Sequence, residues 1–445
     1  MKRILIVILL IIGILSAALW LYIRNYAKKE RPLNIIYMIS DCFRADRLGS
    51  AGYHRDITPF LDELSEKGIR CTNVYSHCSW TFPSMVSHLT GVNPVASYKK
   101  DLAISHDLLF ISEILQERGY NTYMVSANPL LIERWNFVQG FDVYEYVESD
   151  DGRDINLAIQ QLFQEELEEP FFLYIHYMDP HIPYYPPEEF LRKVNPSIPR
   201  YRMIVENLKH NVLTPEQVRD AIDHYDAEIL YQDYLVSQVY NLFKDAPFFH
   251  NDLLYVFTAD HGDEFTEHGG TGHGVTLYNE VLKVPLIFYG PEVIPGGQVI
   301  EYPVQVIDIV PTILDLCRIR YDKDSYEGSG IFSKRKKPFE SFAALWKATQ
   351  SGKNDTTLRS IIQDEWKYIH SFDGNEHKLF NLRNDPGEKN NLIRQFPEIK
   401  RKLKGRLFSY YKENAGKYEY PLPADLQTQE DLDIEDRIRA LGYVN

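Results

Sequence analysis

The chain has 445 residues, 44% of them hydrophobic and 25% charged, enough to bury a sizeable core and too many for one small domain. Its 63 Asp and Glu against 48 Lys and Arg leave a formal net charge of -15. That charge repels phosphate backbones at long range and argues against nucleic acid as a partner, while a bound divalent cation can still reverse the field for a small anionic substrate.

Lys2 and Arg3 precede an uncharged, mostly apolar run, Ile4 to Ile23, closed by Arg24. About twenty such residues span a bilayer as a helix. A secretory core is shorter, roughly 7–15 residues, and Ser16-Ala17-Ala18 is a poor cleavage site lying inside the run. The expectation is an uncleaved transmembrane anchor with its juxtamembrane segment over residues 1–31. Basic residues flank the run on both sides, so charge does not set its orientation.

After Pro32 the pattern is that of a layered α/β protein. Asn34 to Ile39 is almost wholly apolar, as in a strand buried on both faces. Thr58-Pro59 opens a helix through Glu66, with Thr58 as N-cap. A helix over Ile111 to Arg118 stops at Gly119, and strands follow at Asn121 to Ser126 and Phe171 to Tyr177. Pro215 to Phe243 is a long amphipathic helix, and Leu253 to Thr258 and Val284 to Tyr289 are further strands. This alternation predicts a mostly parallel central sheet flanked by helices, over residues 32–320. The weak pattern of Tyr321 to Thr357, with its basic patch Lys334 to Lys337, reads as a surface connection. Leu358 to Phe380 reads as short strands with a turn at Asp373-Gly374. With a tail that is helical after Pro397 and then irregular, these strands form a small β-rich subdomain over 358–445. The four cysteines, Cys42, Cys71, Cys78 and Cys317, have no C-x-x-C spacing; a Cys71–Cys78 bridge is conceivable, but buried free thiols are the better expectation.

In a parallel sheet, ligands bind beyond the carboxyl ends of the strands, and here polar clusters stand at those ends. Asp41 follows the first strand, Asp179 and His181 the third, Asp260 and His261 the fourth. Asp260-His261-Gly262-Asp263-Glu264, then His268 and Gly272-His273-Gly274, offer oxygen and nitrogen ligands for a divalent cation on a glycine-rich loop. A lone Asp-His pair would be structural more often than not; three histidines and three acids this close together exceed what folding requires. Thr81, in Ser79-Trp-Thr-Phe-Pro-Ser84, stands at a helix start, where a hydroxyl beside a cation can ionise and attack phosphorus or sulfur. The plainer alternative is that Thr81 is only an N-cap.

Together these segments resemble the sulfatase branch of the alkaline phosphatase superfamily. Asp41-Cys-Phe-Arg44-Ala-Asp46-Arg-Leu-Gly resembles its first metal loop, and Thr81-Phe-Pro-Ser84 with Leu89-Thr-Gly91 its nucleophile helix. Asp179-Pro-His181-Ile-Pro-Tyr184 resembles its substrate-binding turn, Thr258-Ala-Asp260-His261-Gly262 its second metal loop, and Trp366 through Leu392 its C-terminal sheet. The resemblance implies one divalent cation (Ca²⁺, Mn²⁺ or Zn²⁺) held by Asp41, Asp260, His261 and Thr81, with Thr81 as nucleophile. It implies that His181 and His273 contact the substrate oxyanion or protonate the leaving group. Asp179 would orient His181 or serve as a further ligand, and Lys283 is a weaker substrate-binding candidate.

The family carries Cys or Ser in a C/S-x-P-x-R pattern that is oxidised to formylglycine. Here that pattern reads Thr81-Phe-Pro-Ser-Met85: oxidation of threonine would give a ketone, and Met85 removes a guanidinium. Threonine in this slot is similar to the superfamily's phosphodiesterases and phosphoglycerol or phosphoethanolamine transferases. The expectation is a metal-dependent hydrolase of phosphate or sulfate esters, with phosphoester cleavage favoured. Its substrate would be a small-molecule, glycan or lipid ester, and the enzyme would be membrane-anchored with its catalytic domain outside the cytoplasm. The alternatives are a sulfatase acting on sulfate esters, a membrane-anchored transferase of phospho-alcohol groups, and an inert binding protein that keeps the fold.

Overall fold

Short runs dominated by apolar residues form the centre of the molecule. In the computed structural model they are strands β1 (Asn34–Ser40), β2 (Ile69–Tyr75), β3 (Asn121–Ser126), β4 (Val143–Tyr146), β5 (Phe171–Tyr177) and β6 (Leu253–Ala259). A short hairpin, β7 (Glu264–Phe265) and β8 (Thr271–Gly272), precedes β9 (Lys283–Tyr289), β10 (Gln298–Ile300) and β11 (Val304–Gln305). The structure describes residues 32–94, 104–165, 167–202, 213–244, 246, 252–290, 293–333, 339–348, 354–372 and 377–414. The anchor expected over residues 1–31, the basic patch, the Asp373-Gly374 turn and the irregular tail lie outside them. Among the described residues no helix is long and apolar enough to cross a membrane.

The main sheet has the order β10-β2-β9-β6-β1-β5-β3-β4, with β11 continuing beside β2. Within it only β9 runs against its neighbours; every other pairing is parallel, and the central strands β1, β5 and β6 are buried along nearly their whole length. Ser40 is in register with Tyr177 and Ala259, and Ser126 with His176. β6, β1, β5 and β3 therefore end at one edge, and the residues after them emerge side by side.

The helix after Thr58 spans Pro59–Lys67, but Thr58 does not cap it. Its hydroxyl instead donates to Asp62 Oδ2 at 3.0 Å and accepts the Gly49 N–H. The first-turn N–H groups of Phe60 and Leu61 go to Asp233, on the long helix Pro215–Lys244. A tertiary carboxylate has taken the capping role that the local sequence assigned to threonine.

A second, antiparallel sheet follows: β12 (Glu340–Ala348), β13 (Asn354–Gln363), β14 (Trp366–Ser371) and β15 (Lys378–Asn381), in that order. This corrects the reading of 321–357 as a connection, because β12 and the start of β13 fall inside it. The strand is hard to see because both faces of β12 are covered. Phe342 and Ala344 pack on Leu403, Leu407 and Tyr410 of the helix Pro397–Asn414, and Ala343 and Leu345 pack on Leu277, Tyr278 and Leu282. With no solvent-facing side there is no alternation to read. Within the second unit Lys367 Nζ and Glu388 form a fully buried ion pair at 2.8 Å, and Asn279, just before β9, ties it to the main unit by accepting from Lys367 and donating its N–H to Glu388. All four cysteines are free thiols.

Candidate active site

Four parallel strand ends build the site. Asp41 is the first residue beyond β1, and Asp260 and His261 are the first two beyond β6; all three are fully buried. Thr81 is the first residue of the helix Thr81–Thr90, with Trp80 in the cap position. Its hydroxyl faces the site: Oγ1 lies 3.4 Å from Asp41 Oδ2 and 3.4 Å from His261 Nε2. His261 Nε2 is 3.3 Å from Asp260 Oδ2 and 3.8 Å from Asp41 Oδ1. Ser84, one turn on, donates to the Asp260 carbonyl at 2.7 Å and so ties the nucleophile helix to the β6 loop.

The electrostatics fit a cation. Burial raises the Asp260 carboxyl above its ordinary range and lowers His261 to about 4, so the imidazole is neutral at pH 7 and brings no balancing charge. Asp260 Oδ2 is buried without a hydrogen-bond partner. Ligand atoms of Asp41, Asp260 and His261 lie within 4.8 Å of one another. Two buried carboxylates and a neutral imidazole form an oxygen- and nitrogen-rich set suited to a divalent ion.

Two further histidines stand beside this group. The ring of His273 is 4.6 Å from that of His261 and 5.0 Å from that of His181. His273 Nδ1 lies 2.7 Å from Asp263 Oδ1, and Asp263 Oδ2 accepts the Tyr184 hydroxyl at 2.5 Å. Burial raises the Asp263 carboxyl as well. A cavity of about 380 Å³ opens beside His181, lined among others by Asp151, Asp179, Tyr185, Arg200, Glu228 and Tyr231.

Two expected residues point elsewhere. Lys283 donates to Asn73 Oδ1 at 2.7 Å and lies over the Tyr75 ring, on the flank of β2. The Asp179 side chain lies in a buried acid pair with Glu228, and burial raises both carboxyls, Asp179 to about 7. Other residues enter unannounced. Asn128, two residues past β3, donates to Asp41 Oδ2 at 2.9 Å. Asp263, present in the loop motif without a role, orients His273. Cys42, expected as an inert thiol, faces Asp41, His261 and His273. The strand-end rule reaches Asn128 if applied to β3; nothing local marks the other two.

Residues 33–319 match the family model described as Sulfatase, and residues 267–413 match N-sulphoglucosamine sulphohydrolase, C-terminal. A sulfatase of Formosa agariphila is 22% identical over 81% of this chain and 82% of its own length. Arylsulfatase K of Xenopus laevis is 23% identical over 84% and 82%. Among solved structures, a protein in complex with its substrate D-glucosamine-2-N,6-O-disulfate superposes with a TM-score of 0.71 at 20% identity, covering 86% of this chain and 98% of that one. The phosphonate monoester hydrolase of Agrobacterium radiobacter gives 0.70 at 16%, covering 86% and 96%. The first match takes in the whole parallel sheet together with the strand ends that carry Asp41, Thr81, Asp260 and His261, and by it this ester hydrolase belongs to the sulfatase family.

Proposed function

We propose that the protein cleaves phosphate esters with Thr81 as nucleophile. The supporting observation is the position of Thr81 Oγ1, 3.4 Å from both Asp41 and His261 in a buried pocket. Asp41, Asp260, His261 and Thr81 would hold a divalent cation, which would supply Lewis-acid stabilisation of charge on the ester oxygens. Thr81 Oγ1 gives up its proton to solvent and attacks phosphorus, the bond to the leaving alcohol breaks, and His273 or His181 delivers a proton to that alcohol. Asp263 holds His273 in orientation. Water then cleaves the phosphothreonine ester and regenerates the hydroxyl.

Phosphorus is preferred because Thr81 cannot become the formylglycine of the family's sulfatases, whose hydrate expels sulfate by C–O cleavage. Met85 adds to this preference: it is fully buried, with its sulfur 3.8 Å from the Tyr174 hydroxyl, and it offers the site no guanidinium. Sulfate ester cleavage is the second reading, favoured by the C-terminal match to a sulphohydrolase. In either case the cavity beside His181, with Tyr185 and mixed acids and arginines, suits a hydroxyl-rich leaving group such as a glycan. We also propose that Ile4 to Ile23 tethers the enzyme to a membrane with the catalytic unit outside the cytoplasm; release of the full-length chain by alkaline carbonate alone would refute the tether.

The test is a panel of aryl phosphate monoester, phosphodiester and sulfate substrates with the full-length protein and added Ca²⁺, Mn²⁺ or Zn²⁺. Phosphoester turnover with trapped phosphothreonine at Thr81, seen by mass spectrometry and abolished in Thr81→Ala, is the expected result. Sulfate turnover by unmodified Thr81 would overturn the preference for phosphorus, and full activity of Thr81→Ala would overturn the nucleophile.

A further inference from the structure

Three arginines line the cavity beside His181, and two of them are spoken for inside it. Arg153 grips the Asp151 carboxylate through Nε and Nη2, and Arg202 lies 3.4 Å from Asp150. Arg200 is different: among the described residues it has no acidic partner. Its guanidinium carbon sits 3.7 Å from the centroid of the Tyr185 ring, and its Nε donates to the Pro186 carbonyl at 2.8 Å. Tyr185 is held in turn, because its N–H donates to Glu228 Oε1 at 2.6 Å. The stack takes one face of the guanidinium and the Nε bond one corner, which leaves both terminal nitrogens for a ligand. The acids of the cavity do not cancel this charge. Asp150 and Asp151 already face arginines, and Asp151 also accepts the Tyr231 hydroxyl. Asp179 and Glu228 are buried together, and burial, which raises both carboxyls, works against full charge on them.

We propose that Arg200, stacked on Tyr185, is a subsite for a carboxylate carried by the leaving alcohol, so that the enzyme selects esters whose alcohol bears a negative charge of its own. The inference rests on the ester-hydrolase reading above and names the leaving group. A flat, pinned guanidinium takes a carboxylate through two parallel charge-assisted hydrogen bonds, and pinning it beforehand reduces the entropy lost when the ligand binds. Arg200 and His181 line the same cavity. Its volume of about 380 Å³ lies near the lower end of the roughly 300–1,000 Å³ usual for small-ligand sites, which suits an alcohol built on a single ring. A neutral alcohol leaves Arg200 solvated, whereas an acidic one replaces that water with the two bonds. Arg200 is exposed, so solvent screens the pair and the expected preference is about tenfold, well short of what a buried pair would give.

The experiment uses the full-length protein with added divalent cation and two pairs of probes that differ only in charge. The first pair is 4-carboxybenzylphosphonate and its neutral amide, 4-carbamoylbenzylphosphonate; neither has an ester bond to break, and calorimetry gives their Kd values. The second is 4-carboxyphenyl and 4-carbamoylphenyl phosphate, with the matching sulfates, compared by kcat/KM. The wild type is expected to favour the acid about tenfold in both pairs, and added salt should shrink the ratio. Arg200→Ala should bring the ratio close to one, and Arg200→Lys, which keeps the charge but loses the flat fork, should recover only part of it. Arg401→Ala removes an equal charge from the exposed face of the C-terminal helix and should keep the wild-type ratio. Equal binding of acid and amide by the wild type would overturn the subsite, and that outcome depends on no variant folding. A preference that survives Arg200→Ala, or that falls as far in Arg401→Ala, would overturn it too. An Arg200-dependent preference in Kd with no turnover of any ester would uphold the subsite and count against the hydrolase reading. Turnover of acid and amide esters at equal rates would do the reverse, and failure of either phosphonate to bind would overturn both.

Discussion

Replacing Asp263 with Asn keeps the side-chain volume but removes one acceptor. In the wild type one carboxylate oxygen faces His273 Nδ1 at 2.7 Å and the other accepts the Tyr184 hydroxyl at 2.5 Å. An amide has a single oxygen. With Tyr184 donating to it, the NH₂ group is turned toward Nδ1, which must then accept, and the ring proton moves to Nε2. The imidazolium that would donate a proton to the leaving group also loses its anionic partner. Both effects act on the chemical step, so kcat should fall roughly 10²–10⁴-fold, about 3–5.5 kcal/mol, with KM little changed. The assay is kcat against pH for the full-length protein on whichever aryl ester it turns over. Tyr184→Phe provides a rescue: without the competing hydroxyl, the new amide at position 263 can rotate its oxygen back to Nδ1. The double variant should therefore recover at least about tenfold of the loss, a non-additivity expected of residues in one network. A kcat for Asp263→Asn within about threefold of wild type would refute His273 as the acid and leave His181 in that role. A double variant no faster than the single one would refute the account of its orientation.

Three further outcomes follow from the packing. Lys367→Met leaves Glu388 buried without its cation and should cost about 3–5 kcal/mol in denaturant unfolding, with the Lys367→Met/Glu388→Gln pair costing less than the sum; a loss below about 1 kcal/mol would count against the buried pair. His77 is fully buried, and burial lowers it to about 4, below its value of 6.5 in the unfolded chain. The unfolded state therefore takes up the proton first, and the stability present above pH 6.5 is lost as pH falls toward 4. Between about pH 7 and pH 5 the wild type should lose about 2 kcal/mol more than His77→Asn, and parallel pH profiles would exclude this. Chelation should lower Tm, and restoring the cation at about a hundred times its Kd should return about 2.7 kcal/mol; a Tm indifferent to both would argue against a structural role for the ion.

Much of the site is legible in the chain because the chemistry sits where apolar runs stop. Asp41, Asp260, His261 and His181 follow from that rule alone, since parallel strands deliver their carboxyl ends to one edge. Thr81 is legible as a hydroxyl at a helix start and His273 as an imidazole on the glycine-rich loop, but their separate roles come from the family motifs. What the sequence hides is direction. Lys283 stands at the start of a strand next to the site, yet its side chain runs to Asn73 on β2, a choice made by a neighbour 210 residues away. Asp179 is two residues past a strand and two before a site histidine, yet it is buried beside Glu228, a residue of the long helix nearly fifty positions on that no local pattern brings to it. Asn128 reaches Asp41 only because β3 lies beside β5 in the sheet, which no local pattern states. β12 escapes for a different reason: a strand covered on both faces by other parts of the same chain carries no polar stripe.

That strand has a bearing on how the protein comes into being. His77 Nδ1 donates to the Phe342 carbonyl at 2.8 Å, and the Cys78 thiol donates to the Ala344 carbonyl at 3.0 Å, four and three residues ahead of Thr81. The segment that aims the nucleophile is thus moored to a strand made long after it. During synthesis Thr81 leaves the ribosome early, but its setting is incomplete until Glu340–Ala348 has emerged and docked. A nascent chain therefore passes most of its elongation without its cutting edge in place, and a fragment ending after the parallel sheet would be a fold without an enzyme.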